Sequence, residues 1–426
     1  MDESRRVRPT ARGTALVGLG AVTVAVGTLL GVRLMVQVGA LMLLAVAAGL
    51  TVLLLEARSQ ERGALRLTRH VVPHPVTVAQ PAVVRVEVTT SGGPRRLERL
   101  QIAERAAREL SGPGALRAKV QRSTGRLALS YQVVPQRRGR WPVGPLEVRR
   151  RDLFGVAHWS GPLGDPMLVA VRPTVTPLSL TDRSASTDVD RAAAGARTPA
   201  ADDASLRDYR AGDDLRRVHW RSSARRGELM VRQDERAGRR PSSVLLDLPV
   251  EDVAGEWTIA VGASIAMALV AAGHHVRILG GDVLGAATDH HRPDTDGRTM
   301  NALLDQTVDL TLPSHQGERI AWLLAAVDTL SMQAGGAELV FAVVGAVEPH
   351  DLTALARIGQ ATHGWAMVRT GPVRGSGDAM ATPDETRTLE ALRRAGWTAC
   401  AVRPGEDVAT CWQRLLDSDV RVGAGR

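Results

Sequence analysis

LRDYRAGDDLRRVHWRSSARRGELMVRQDE, residues Leu206 to Glu235, is the stretch around which the rest of the chain can be ordered. It is dense in arginine, yet Asp213, Asp214 and Glu228 interrupt the basic run and a His219–Trp220 pair sits inside it. Gly212-Asp213-Asp214 reads as a turn that caps a helix. An aspartate there accepts from the first free backbone N–H groups, and its charge opposes the positive helix end. The helix is expected over Leu215 to Arg226, with Gly227 ending it in the left-handed conformation and Glu228 to Arg232 alternating as a strand. Leu215, Val218 and Ser222 share one helical face. Arg217, Arg221 and Arg225 recur every four residues on a neighbouring face. Like charges so spaced repel by about a few tenths of a kcal/mol each, and Asp208, Asp234 and Glu235 are the nearby carboxylates available to balance them. Arg207, Tyr209, Arg210, Arg216 and Ser223 complete the set of candidate site residues.

Four roles fit this pattern. The stretch can be an internal ion-pair network, or a docking face for an acidic partner protein. It can bind nucleic acid, with Trp220 stacking and arginines on phosphates. It can also be catalytic, as a hydrolase-like enzyme using His219 with Ser222 or Ser223. The first two are preferred. The acids weaken a phosphate-binding surface, and no orienting carboxylate or oxyanion loop can be assigned to His219, which then reads as a hydrogen-bonded structural histidine. The expectation is therefore no catalytic residue and no cofactor.

Downstream, residues 241–426 alternate strands and helices. Strands are expected at Ser243–Leu248, Val276–Leu279, Glu338–Val344, Trp365–Arg369 and Thr398–Val402. Helices are expected at Trp257–Ala272, Met300–Val308, Ile320–Leu330, Leu352–Gln360, Asp384–Ala395 and Asp407–Leu416. Alternating βαβ units imply a mostly parallel sheet with helices on both faces. His274-His275, and Asp289-His290-His291 with Asp294 and Asp296, read as polar loop residues before metal ligands. Cys400 and Cys411 have no ligand spacing and read as small buried side chains, which fits a reducing compartment. No Walker-type glycine loop is present, so nucleotide binding by that device is not expected.

Upstream, residues 181–205 are rich in Ala, Asp, Thr and Ser without apolar period and read as a linker or loop. Residues 64–180 change to period two, as in Val83-Val-Arg-Val-Glu-Val and Leu127-Ala-Leu-Ser-Tyr-Gln-Val-Val, broken by Gly and Pro turns; a small β-sandwich is expected. Leu97 to Leu110 fits an exposed helix or a polar edge strand. Residues 13–55 hold two charge-free runs separated by Arg33. Each is about 20 residues, enough to cross ~30 Å of hydrocarbon, so a two-helix transmembrane hairpin is expected. Arg5, Arg6, Arg8 and Arg12 precede it and Arg58, Arg62, Arg66 and Arg69 follow, against one arginine in the turn. The positive-inside rule then keeps the basic N-terminus, residues 1–12, and the main body in the cytoplasm, on a multi-pass protein of the cell membrane. Of 54 basic side chains only Lys119 is a lysine, so arginine by itself marks no site; the net charge of +9 suits an anionic surface or an acidic partner.

Leu206–Trp220 and Ser223–Arg232, with Arg138-Gly-Arg-Trp-Pro-Val-Gly-Pro and Arg151-Asp-Leu-Phe-Gly ahead of them and tandem spans at the start, resemble the bacterial membrane-protein family called domain of unknown function 58. The resemblance implies a von Willebrand factor A-like domain after the signature and a cytoplasmic partner of the MoxR-type AAA+ ATPase class. Such domains often hold Mg²⁺ in an Asp-x-Ser-x-Ser loop. Here Asp247 takes the first position, but Pro249 and Glu251 replace the serines. The site at Asp247 and Glu251 therefore reads as degenerate, and with the two spans, the charge asymmetry and the arginine-rich signature the expectation is a membrane-anchored, non-enzymatic scaffold or adaptor.

Overall fold

Thr10 starts the first helix. Its hydroxyl accepts from the Gly13 N–H (3.2 Å) and donates to the Gly155 carbonyl (2.6 Å). In this computed structural model, residues 6–61, 65–90, 97, 100–112, 118–152, 154–179, 206–208, 223, 228, 230–232, 241–282, 289–333, 338–372 and 381–423 are described. They fall into two compact units, Met1–Arg172 and Pro173–Arg426.

In the first unit, helix Ala11–Leu29 turns back at Gly31 (φ +70°) into helix Arg33–Glu61. Ala11–Leu29 and Arg33–Leu55 are long and apolar enough to cross a membrane. Leu19, Val22, Leu29, Leu34, Leu41 and Leu44 are exposed on the hairpin. The helices meet along glycines: a Cβ on Gly39 would stand 2.7 Å from the Gly20 carbonyl oxygen, and one on Gly27 would stand 2.8 Å from Met35 Cβ. Small residues permit this close approach, which suits helices that have no hydrophobic driving force between them in lipid.

The second helix does not stop where the apolar run meets the β region. Leu53 is 1% exposed inside the β core and Leu50 packs against it. The run 13–55, read as lipid-facing throughout, therefore gives its end to protein. Arg6–Pro9 likewise departs from the reading of residues 1–12 as a basic tail: it is a strand paired antiparallel with Ala157–Ser160.

Two sheets enclose the β core. Leu65–Val72, Ala82–Thr90, Arg126–Val133 and Ala118–Ser123 form an antiparallel sheet in that order. Its alternation places Val84, Val86 and Val88 opposite Tyr131, Leu129 and Leu127, all buried. The second sheet runs Arg6–Pro9, Ala157–Leu163, Gly139–Arg151, Met167–Arg172, Val76–Thr77. Leu100–Ala106 also pairs with Gly139–Arg151, and a short helix, Arg108–Ser111, follows it. The segment Leu97–Leu110 is thus mainly a strand, with alternate residues turned outward.

In the second unit, five parallel strands stand in the order His275–Leu279, Pro241–Leu246, Leu339–Val344, His363–Arg369, Thr398–Val402. Alternate strand residues feed two cores, which explains their unbroken apolar runs. On one face Val244, Phe341 and Trp365 meet helices Asp252–Ala271, Arg298–Asp309 and Val408–Gly423. On the other, Leu245, Val340 and Ala366 meet Gln316–Gln333, Pro349–Ala361 and Pro383–Arg394. Phe341 stacks on Trp365 with centroids 4.7 Å apart. Val175 and Leu178, within the region read as β-sandwich, pack on this unit instead, and the Thr176 N–H donates to Ser264 Oγ (3.0 Å).

Candidate functional site

The strand order makes the connections from the first and third strands of this sheet leave on opposite faces. Open α/β sheets receive ligands at such a switch point, outside the carboxyl ends of the strands. Here Asp247 follows the first strand and Gly345 follows the third. Asp247 Oδ1 accepts from Arg319 Nε (2.8 Å). Its Oδ2 accepts from Arg319 Nη2 (2.7 Å), Arg369 Nη2 (2.9 Å) and the Gly345 N–H (2.8 Å). Arg319 comes from the helix Gln316–Gln333 and Arg369 from the end of the fourth strand. Arg369 also donates to the Asp247 carbonyl and to Thr258 Oγ1 on the helix Asp252–Ala271 (2.8 Å).

Burial opposes ionisation of Asp247, but the charge of Arg369 and the bonds from Arg319 and Gly345 outweigh it and hold the carboxyl below its ordinary value. Burial pulls Arg369 down to about 10 against the attraction of Asp247, which leaves it charged at neutral pH. A carboxylate offers about four lone-pair sites; here three donors crowd Oδ2 and one meets Oδ1. The residues at this position suit guanidinium groups and do not fit a divalent cation, which would have to displace an arginine. Glu251 adds no ligand to the cluster: it stands exposed at the start of the helix Asp252–Ala271 and makes no side-chain cap bond. Asp351 and Glu348 add negative charge near Arg319, and Glu385 near Arg369, so Asp247 is not the sole carboxylate acting on the two arginines.

A second polar cluster lies near the opposite ends of the strands. Ser243 Oγ donates to Glu338 Oε1 and accepts from Arg277 Nε (2.6 Å), while Arg277 Nη2 (3.0 Å) and His290 Nε2 (2.9 Å) also meet Glu338 Oε1. Serine, histidine and acid are together here, but not as a nucleophile needs. The imidazole bonds to the carboxylate and not to the hydroxyl, and the hydroxyl proton is committed to the carboxylate. The loop residues weighed as metal ligands go separate ways. His290 meets Glu338, the His291 backbone bridges Val276, and Asp294 accepts from the Thr299 N–H (3.1 Å). Among the described residues no group of three or more His, Cys, Asp or Glu could hold a metal ion. Cys400 and Cys411 are buried free thiols, each pushed up to about 12, chiefly by burial.

The arginine-rich signature closes on itself. Leu206–Asp208 pairs antiparallel with Met230–Arg232, which places Arg207 opposite Val231. Ser223 is helical and buried, and Glu228 is exposed in a bend. The ends of the signature are thereby tied together. Tyr209, Arg210, Gly212, Asp213, Asp214, Arg216, Arg217, His219, Trp220, Arg221, Arg225 and Gly227 lie outside the described residues, as does all of the expected helix 215–226 except Ser223, together with the linker 181–205.

The Asp247 cluster is what the sequence reading missed. Its partners lie 72 and 122 residues from Asp247 along the chain. The available signal was an arginine ending a buried strand, at Arg369.

No curated protein matches the chain. The solved structure of an enterochelin esterase from Shigella flexneri aligns with 86% of this chain and 98% of its own, at 12% identity and a TM-score of 0.18, a likeness too low to carry fold or activity. Residues 205–370 match the family model described as protein of unknown function DUF58. The match begins at the closing strand of the signature and ends just past Arg369, so it contains Asp247, Arg319 and Arg369. Over these residues the chain is similar to the DUF58 family, whose model the rest of the chain does not enter.

Proposed function

We propose that the protein is a membrane-anchored, non-enzymatic scaffold that presents its sheet domain to a cytoplasmic protein partner. The observation that carries this reading is the filled switch point. Where an α/β sheet ordinarily receives a ligand, Asp247 is held by Arg319, Arg369 and Gly345. The hairpin supports the anchor, since its large apolar side chains are exposed and its second helix ends within the β core. Both ends of the hairpin lie on the cytoplasmic side in this reading, by the arginine balance on either side of it. The partner is a protein with an acidic face, of the MoxR-type AAA+ ATPase class that the family resemblance implies, and it meets the arginines of the signature.

The test is capture of the ATPase by the full-length protein extracted from membranes. Arg217→Glu with Arg221→Glu is expected to abolish capture while thermal unfolding stays unchanged. Normal capture by the folded double variant would overturn the docking role. An alkaline wash that strips the unaltered protein from membranes would overturn the anchor.

A further inference from the structure

Asp152, Gly155 and Val156 stand against the helices of the hairpin. A Cβ on Gly13 would stand 2.0 Å from the Val156 carbonyl oxygen, and one on Gly49 would stand 2.7 Å from Asp152 Oδ2. The Thr10 N–H donates to the Val156 carbonyl (2.9 Å). Asp152 is buried and pins the loop from within, accepting from the Phe154 N–H (3.0 Å) and the Ala157 N–H (2.8 Å). Phe154 between them is 54% exposed. A large apolar side chain is thus held in the open at the level of the first helical turn.

The strands that flank this loop carry a basic ladder. Register sets Arg8 opposite His158, and His158 opposite Arg151; two pairs further along, Arg149 lies opposite Ser160. Arg8, Arg149 and Arg151 are exposed, and none is paired with a carboxylate among the described residues. Arg149 Nη2 donates to His158 Nε2 (3.0 Å), so that nitrogen carries no proton. Burial holds His158 below its ordinary value, and the charges of Arg149, Arg151 and Arg8 add to the effect. Arg12 stands in the first turn of the helix, where a cation is unfavourable unless an anion lies close by. Arg8 precedes Thr10 by two extended residues, about 7 Å. The headgroup layer of a bilayer is about 5–7 Å deep on each side, so the ladder begins where phosphates lie.

We propose that Arg8, Arg149 and Arg151 bind the headgroup phosphates of anionic phospholipids, with Phe154 seated in the interface beside them, so that the β domain lies docked on the membrane. This rests on the anchored reading above, and the two fail differently. The arginines supply charge-assisted hydrogen bonds to phosphate, and Phe154 supplies apolar contact at the interface. A partner of the ladder must be anionic and adjacent to the hairpin, and the lipid surface meets both conditions without a further protein.

The test uses the full chain reconstituted into phosphatidylcholine vesicles with and without phosphatidylglycerol. Phe154→Cys carries an environment-sensitive fluorophore; Cys400 and Cys411 are buried, and the labelled parent protein serves as the blank. In phosphatidylglycerol vesicles the emission is expected to shift to the blue, to be quenched by headgroup-level spin-labelled lipid, and to revert as salt is raised. Arg8→Gln, Arg149→Gln and Arg151→Gln are each expected to lower the docked-to-undocked ratio about fivefold. Emission that ignores both phosphatidylglycerol and salt in the protein with all its arginines overturns the proposal, whatever the variants do. Loss of the protein from the vesicles under alkaline wash instead overturns the anchor itself.

Discussion

The helices Ala11–Leu29 and Asp252–Ala271 hold 19 and 20 residues, are both long and apolar enough to cross a membrane, and differ in how much of each the protein buries. The first buries only Gly13, Gly20 and Gly27, seven residues apart on one seam, and exposes Leu19, Val22 and Leu29. The second is buried almost continuously from Ala254 to Val270 and gives Thr258 to Arg369. A helix in lipid needs protein along one narrow stripe, because hydrocarbon satisfies the rest. A helix at the centre of an aqueous domain needs protein on nearly every side. Apolar length alone does not separate the two; the spacing of small residues and the alternating elements around each helix do.

The largest effect is expected where the buried helix meets charge. Asp247→Asn leaves Arg319 and Arg369 buried without the carboxylate that both meet and should cost the sheet domain about 3–5 kcal/mol, read by urea unfolding of the purified protein. A cost under about 1 kcal/mol would mean that the cluster is solvated or neutral. The acid side of the stability profile gives a second reading. Because Asp247 is held below its ordinary 3.8 in the folded state, its contribution is complete above that value and lost as pH falls through the lower folded one. Asp247→Asn should flatten that acid limb.

Next comes the direct contrast of leucines. Leu269, fully buried in the core helix, should cost about 2–5 kcal/mol when changed to alanine. Leu41, 66% exposed on the hairpin, should leave the unfolding of both domains within about 0.5 kcal/mol of the parent. Equal effects would remove the distinction between the two surroundings. Leu53→Ala sharpens it within one helix: it should destabilise the β domain by about 2–4 kcal/mol, while Leu54→Ala, one residue on and 50% exposed, should not. Protease resistance of the β domain in vesicles would show the difference.

That last pair also marks where the sequence stops being informative. The run to Leu55 reads as one span because Leu50 and Leu53 are chemically the same as the exposed Leu54 and Leu55; only the β core decides which of them meets protein. Arg6–Pro9 was equally hidden, since four residues with one valine have no period and their partner strand begins at Ala157. The five strands of the sheet were legible, because continuous apolar runs between amphipathic helices allow few other folds. The Asp247 cluster was not. Arginine is common throughout this chain, and nothing local tells Arg319 and Arg369 from the exposed Arg387, which pairs with its helix neighbour Asp384.

The smallest effect tests the glycine seam itself. In Gly39→Ala the new methyl would stand 2.7 Å from both the Gly20 carbonyl oxygen and Val24 Cγ2, closer than carbon atoms pack, so the helices must part. A backbone cannot yield as a side-chain tip does, and the cost should be about 1–3 kcal/mol of hairpin stability. Gly18 lies on the same hairpin with nothing within 4 Å of a Cβ. Gly18→Ala should therefore gain about 0.5–1 kcal/mol from helix propensity alone. The same chemical change thus has opposite signs on and off the seam. Loss of helix–helix proximity on titration with a denaturing detergent, followed by energy transfer between labels on the two helices, reads both. If the two variants behave alike, the glycines are there for helix flexibility and the seam does not hold the hairpin together.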